Sequence, residues 1–137
     1  MNYKLGLNTG FAVNRYPKPE EWSKIIKNSG VNYAQFTADL LNVSLPDYII
    51  KEQTKKIIKA CLKNNIEISS TFTGAFTRVN HLAHPDKSIR NYWINWFKRF
   101  VDLSINIGSK VIGSHFGILT INDNKNLNIR KKRINQN

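Results

Sequence analysis

The chain has 137 residues, with 21 Lys and Arg against 9 Asp and Glu, for a formal net charge of +12. Its 41% hydrophobic and 11% aromatic content supplies a packed core and excludes wholesale disorder, and no stretch approaches the roughly 18 apolar residues of a membrane-spanning helix. The single cysteine, Cys61, excludes an internal disulfide and a cysteine-based zinc site, and no signal layout opens the chain, so the sequence reads as soluble and cytoplasmic.

Short apolar runs alternate with longer amphipathic stretches, the pattern of successive βα units on a parallel sheet. The first strand is expected at Tyr3 to Leu7. A helix opens at Pro17 to Pro19, presents Trp22, Ile25 and Ile26 on one face, and ends at Gly30. The second strand is Val31 to Phe36, followed by a helix from Asp47 to Asn64 with Ile50, Ile57, Ile58, Cys61 and Leu62 on its buried side. The third strand, Ile66 to Thr71, leads into a loop rich in Thr, Gly and His. Pro85 and Asp86 start a third helix, in which Ile89, Trp93, Trp96, Phe97, Phe100 and Val101 recur at helical spacing as core packing. The fourth strand is Lys110 to His115.

Strand starts near positions 3, 31, 66 and 110 define four units. Eight such units close a (β/α) barrel of about 250 residues, so the expected fold is α/β, the N-terminal half of such a barrel over residues 1–119. An open four-stranded doubly wound sheet is the alternative. Residues 120–137 hold Lys125, Arg130, Lys131, Lys132 and Arg133, and read as a disordered basic tail without a helix face or caps. The abrupt change of composition after a strand end is read as truncation of a longer frame in preference to a natural extension. Because the excess charge is concentrated there, nucleic acid is not the expected partner of the body of the chain.

In a parallel βα sheet the loops after the strands converge on one site, which nominates residues by position. These are Asn8 and Thr9 after strand one, Thr37 and Asp39 after strand two, Thr71, Thr73, Arg78 and His81 after strand three, and His115 after strand four; Gln35 is a polar residue inside an otherwise buried run. Asn8 and Thr9 also suit a turn at Gly10, and Asp39 a local cap. Arg78 suits a phosphate clamp or a surface ion pair. His81 and His84 are spaced H-x-x-H but lack a third ligand, and His84, before Pro85, fits a helix start. His115, within Gly113-Ser-His-Phe-Gly117, is the foremost candidate, since imidazole donates or accepts a proton near neutrality and flanking glycines admit a ligand closely. Cys61 is a buried helix residue and not a nucleophile.

Several segments resemble one family: Leu5-Gly-Leu-Asn-Thr-Gly10, Gln35-Phe-Thr-Ala-Asp-Leu-Leu-Asn42, Ser70-Thr-Phe-Thr-Gly-Ala-Phe-Thr-Arg78, Asn80-His-Leu-Ala-His-Pro-Asp86 and Gly113-Ser-His-Phe-Gly117. They are similar to the N-terminal half of sugar phosphate isomerases/epimerases with the xylose-isomerase-like TIM barrel, and among these to the tetrulose-phosphate (erythrulose-phosphate) epimerases. The resemblance implies proton transfer beside a ketose carbonyl through an enediolate, with a divalent metal (Mn, Mg or Zn) as cofactor and a small-molecule sugar phosphate as substrate. In that family the metal ligands and the acid/base pair come mostly from strands five to eight, so the resemblance assigns Asn8, Gln35, Thr37, Asp39, Arg78, His81 and His115 to the substrate side and leaves the chain inactive alone. Two alternatives stand beside it. One is an apurinic endonuclease-like protein, whose superfamily places zinc-binding histidines where His81 and His115 fall. The other is a non-catalytic half-barrel that self-associates through exposed sheet edges.

Overall fold

The computed structural model describes residues 3–135. Four parallel strands, β1 (Gly6–Asn8), β2 (Tyr33–Thr37), β3 (Glu67–Phe72) and β4 (Ile112–Gly113), lie in the order β1-β2-β3-β4. Helices α1 (Pro19–Asn28), α2 (Asp47–Asn64) and α3 (Lys87–Asn106) provide the crossovers. Because sequential strands are neighbours and such crossovers are right-handed, all three helices fall on the same side of the sheet. That side holds one core: Trp22 and Ile26 of α1, Ala34 and Phe36 of β2, Ile57 of α2, Ile68 of β3, and Trp96, Phe100 and Leu103 of α3. None of these three crossover helices lies on the other face.

Local signals account for the helices. Pro19 opens α1 at the first turn, where its missing amide costs nothing, and Glu20 and Glu21 follow near the positive end of the helix dipole. α2 covers the range read from the sequence and ends at Asn65 in the left-handed conformation, φ 55°. Asp86 caps α3, accepting from the Ser88 amide at 2.7 Å. The Asn64 side chain donates to Ser23 Oγ at 2.8 Å and so ties α2 to α1.

The inner faces of the helices are narrower than the apolar spacing implies. Ile57 and Cys61 are buried, but Ile58 is 37% and Leu62 77% exposed, because each residue advances about 100° around the helix and these two pass beyond the sheet-facing side. Val101 leaves the core for the same reason, one residue after fully buried Phe100, while Ile89, in the first turn of α3, is also exposed. β4 pairs over only two residues against the six expected, since it has a neighbour on one side alone.

The segment expected to be a disordered tail is helical in the structure. Helix α4 (Ile121–Lys125) begins where the Thr120 side chain accepts from the Asp123 amide at 3.0 Å, and α5 (Leu127–Asn135) follows, with Asn126 accepting from the amides of Asn128 and Ile129. The overlooked signals are Thr120-x-x-Asp123, a capping sequence, and the Asn126 cap. α5 buries no residue, so the segment adds structure without extending the core. No helix among the described residues is long and apolar enough to cross a membrane.

Candidate functional site

The site is built on the open face of the sheet, and pairing register decides which side chains meet there. Asn8 pairs with Gln35, and Gln35 with Ser70, at matched positions on β1, β2 and β3. Asn8 Nδ2 donates to Gln35 Oε1 at 2.7 Å, and Gln35 Nε2 donates to Ser70 Oγ at 3.2 Å, so one polar ladder crosses three strands. Barrel interiors are usually layered with branched apolar side chains, which makes this amide-hydroxyl ladder a departure that suits a polar ligand.

Ser70 reaches the ladder through a bulge. Ala34 pairs with Ile68, but the next residue, Gln35, pairs with Ser70, leaving Ser69 extra. Uninterrupted alternation would place Ser70 on the same side as Ile68, under the helices. The shift turns Ser70 to the open face and sends Thr71, nominated from its strand-end position, to the opposite one. Thr71 is buried there, with its hydroxyl 2.8 Å from Ser104 of α3, and so belongs to sheet-helix packing.

The remaining nominated residues sort into fasteners and exposed groups. Asn8 Oδ1 accepts from the Gly10 amide at 2.7 Å, so the same side chain shapes the turn and anchors the ladder. Thr9 is buried and accepts from the Thr37 amide at 3.0 Å. Asp39 joins the loops after β2 and β3: its carboxylate accepts from the Thr37 hydroxyl at 2.7 Å and from the Ala75 amide at 2.9 Å. Gly74 makes that approach possible, since it has φ +65° and a Cβ there would lie 2.1 Å from Asp39 Oδ2. Arg78 is exposed, in no ion pair among the described residues, and available to an anion.

After β3 and β4 a second cluster forms. Thr73 Oγ1 is 2.6 Å from Thr77 Oγ1 and 3.1 Å from Ser114 Oγ, and Thr77 Oγ1 is 3.2 Å from His115 Nδ1. The His115 ring meets Phe72 edge-on, with centroids 5.3 Å apart. Beyond it, Gly117 at φ +113° lets the chain lie against the preceding loop, because a Cβ there would stand 2.7 Å from the Asn80 carbonyl. Asn80 Nδ2 then donates to the Ile118 carbonyl. His81 is buried between Trp93 and Phe97, with ring centroids 5.8 and 5.6 Å away. Its Nδ1 accepts from the Leu82 amide at 2.6 Å, and its Nε2 is buried without a hydrogen-bond partner. Burial holds the imidazole below its usual pKa and nearby His115 adds to this, while the backbone of Thr77 and His115 opposes it. His84 accepts from the Asp86 amide at the start of α3.

Ser70, Thr77 and Ser114 were not singled out in the sequence. Ser70 is hidden by the bulge, and Thr77 and Ser114 gain meaning only through contacts 38 and 41 residues away. The Cys61 thiol is pushed up to about 12 by burial, which fits a core residue. A groove of about 540 Å³ lies between α2 and α3, lined by Thr54, Arg99 and Leu103 among others, and includes none of the nominated residues.

A divalent metal does not fit the side chains present. Among the described residues no three His, Cys, Asp or Glu are placed to share an ion, Asp39 is occupied by Thr37 and Ala75, and His81 Nδ1 by Leu82.

No family model matches the chain. It is 32% identical over 124 residues, 90% of its length, to the D-erythrulose 1-phosphate 3-epimerase of Brucella abortus (strain 2308), of which it covers 40%. In three dimensions it matches a xylose isomerase-like protein of Rhodospirillum rubrum ATCC 11170 with a TM-score of 0.90 and 28% identity, over 98% of this chain and 46% of that one. It thus spans less than half the length of either. With four parallel βα units and sequence likeness along nearly all of them, the chain is similar to part of each of these proteins and has the βα arrangement of one arc of a xylose-isomerase-like barrel.

Proposed function

We propose that the open face binds the hydroxylated chain of a ketose phosphate, a tetrulose phosphate foremost, and serves the substrate side of a cytoplasmic isomerase or epimerase. The Asn8–Gln35–Ser70 ladder carries this reading, because an amide-hydroxyl row on a barrel's inner face matches a row of substrate hydroxyls. Exposed Arg78 gives the phosphate a bidentate partner. The relative named as a D-erythrulose 1-phosphate epimerase supports the same substrate class.

Epimerisation needs one group to remove a proton beside the carbonyl and another to return it on the opposite face. Among the described residues neither carboxylate nearest the strand ends serves either task. Asp39 fastens two loops, and Glu67 stands at the opposite end of β3 from His115 and the strand-end loops. The chain alone therefore binds without turnover, and further βα units supply the proton-transfer groups and the metal cage. The unpaired edges of β1 and β4, with Val111 60% and Phe116 80% exposed nearby, favour association with a second polypeptide or copy, which sedimentation would detect.

The test is a titration of the 137-residue chain with D-erythrulose 1-phosphate, followed by amide shifts, and hydrogen exchange at the carbon beside the carbonyl with Mn²⁺, Mg²⁺ or Zn²⁺ present. Shifts at Asn8, Gln35 and Ser70 without exchange are expected. Exchange by the chain alone would overturn the division of labour, and nicking of an abasic-site duplex without sugar binding would replace the reading with DNA repair.

A further inference from the structure

Four contacts in a row end on the His115 ring, and three hydroxyl hydrogens are available to them. Ser114 Oγ lies 2.7 Å from the His115 carbonyl oxygen. A carbonyl only accepts, so the Ser114 hydrogen is committed there. The contact between Ser114 and Thr73, at 3.1 Å, must then use the Thr73 hydrogen. Thr73 becomes the acceptor in its 2.6 Å contact with Thr77, which commits the Thr77 hydrogen. The last contact, 3.2 Å between Thr77 Oγ1 and His115 Nδ1, is left with one source of hydrogen, the ring nitrogen itself. The competing contact of Thr77 with the Gly74 carbonyl is longer, 3.4 Å, and goes without a hydrogen.

We propose that Ser114, Thr73 and Thr77 form a hydroxyl relay that holds neutral His115 as the Nδ1–H tautomer, making Nε2 a hydrogen-bond acceptor for a substrate hydroxyl. Nε2 is the nitrogen the relay leaves free: it makes no hydrogen bond among the described residues, and it is absent from the buried unpartnered atoms. Phe72, edge-on to the ring, limits its rotation. The three hydroxyl residues are positioning residues, acting on the ligand through His115. An imidazole that accepts rejects what cannot donate, so the ligand class is a polyol carrying a free hydroxyl, and an ether or deoxy analogue at that position loses the bond. His81 carries the opposite assignment, since its Nδ1 accepts from Leu82 and its proton sits on Nε2. The two neighbouring histidines are thus distinguishable in one spectrum. The assignment of the tautomer is independent of the function proposed above, whereas the ligand rests on it.

The experiment is long-range ¹H–¹⁵N correlation on the full chain with ¹⁵N-labelled histidine, at a pH where His115 is neutral. A pyrrole-type Nδ1 and a pyridine-type Nε2 are expected at His115, with the reverse pattern at His81. Ser114→Ala, which touches no ring atom, frees the relay and brings in the Nε2–H form. Thr77→Val does so by removing the acceptor, and Thr77→Ser retains the native pattern. A protonated Nε2 in the unmodified chain, or an unchanged spectrum in a folded Ser114→Ala variant, overturns the relay. Addition of D-erythrulose 1-phosphate is expected to move the Nε2 resonance. If shifts elsewhere on the open face show binding while Nε2 stays still, the acceptor role fails. If nothing on that face responds, the substrate reading fails while the tautomer assignment, fixed by the first spectra, stands.

Discussion

On the helix-covered side of the sheet, Ala34, Phe36 and Ile68 are buried under Trp22, Trp96 and Phe100, whereas on the open side Asn8, Gln35 and Ser70 bond to one another and remain partly accessible. The covered side owes its stability to apolar area removed from water and to close packing, both sensitive to single methylenes. The open side has weak, replaceable hydrogen bonds whose groups remain partly accessible. Under the function proposed above, one sheet separates holding the fold from meeting a substrate, and substitutions on its two faces should differ in size and in kind.

The largest effect is expected from Phe100→Ala. Phe100 is fully buried and stacks on Trp96 with centroids 5.4 Å apart and planes 20° from parallel. Its truncation removes apolar burial and leaves a cavity, a loss of about 3–5 kcal/mol in urea unfolding, which a domain of this size barely survives. A loss below about 1 kcal/mol would mean that the helix-covered face is loosely packed and that the contrast between the faces is smaller than stated.

Asp39→Ala comes next. It sits between the faces, at the edge of the site, and removes the acceptor for the Thr37 hydroxyl and the Ala75 amide. A loss of about 1–3 kcal/mol is expected, together with faster hydrogen exchange at the Ala75 amide while the amides of α2 stay protected. Equal acceleration throughout would show Asp39 to be part of the global core and not a fastener of two loops.

These two positions also show what was legible in the sequence. Core residues such as Trp96 and Phe100 announce themselves by helical spacing, and the α2 range follows from Pro46, Asp47 and the Asn64–Asn65 end. Strand-end logic selects Asn8, Asp39, Arg78 and His115 as residues near the loops. It cannot select Ser70, because one extra residue at Ser69 reverses which side the chain faces, and a bulge has no reliable signature in a single sequence. The same bulge turns Thr71 from a candidate ligand contact into a helix contact. Distant hydroxyl partners such as Thr77 and Ser114 are likewise set by the fold and not by local pattern.

A pH series separates the two sides further. His81 is buried with its pKa held below the usual 6.5, so the folded state binds fewer protons than the unfolded chain between the folded value and 6.5. Its contribution is therefore fully present above about pH 6.5 and is lost as pH falls through the folded value. The urea midpoint should decline over that window. His81→Gln should flatten the decline while lowering the plateau, since its packing on Trp93 and Phe97 is also lost. A midpoint that holds steady down to pH 5 would show that His81 accepts a proton without penalty.

The smallest effect on stability, and the most informative, belongs to Gln35→Ala. Gln35 donates one hydrogen bond and accepts another, each worth about 0.5–1.5 kcal/mol net when fully buried and less at this half-exposed position. Asn8 and Ser70 recover water when it is removed, so the unfolding midpoint should move by less than about 1 kcal/mol. Asn8→Ala combined with Gln35→Ala should cost less than the sum of the two, because each single change already breaks the bond they share. Ligand affinity should respond differently. Without Gln35 the ladder loses its middle, Asn8 and Ser70 are no longer oriented, and binding of a hydroxylated substrate weakens by far more than stability does. Full additivity of the double change, with ligand affinity unaltered, would mean that the ladder is ordinary surface polarity and that recognition lies with Arg78 and His115 alone.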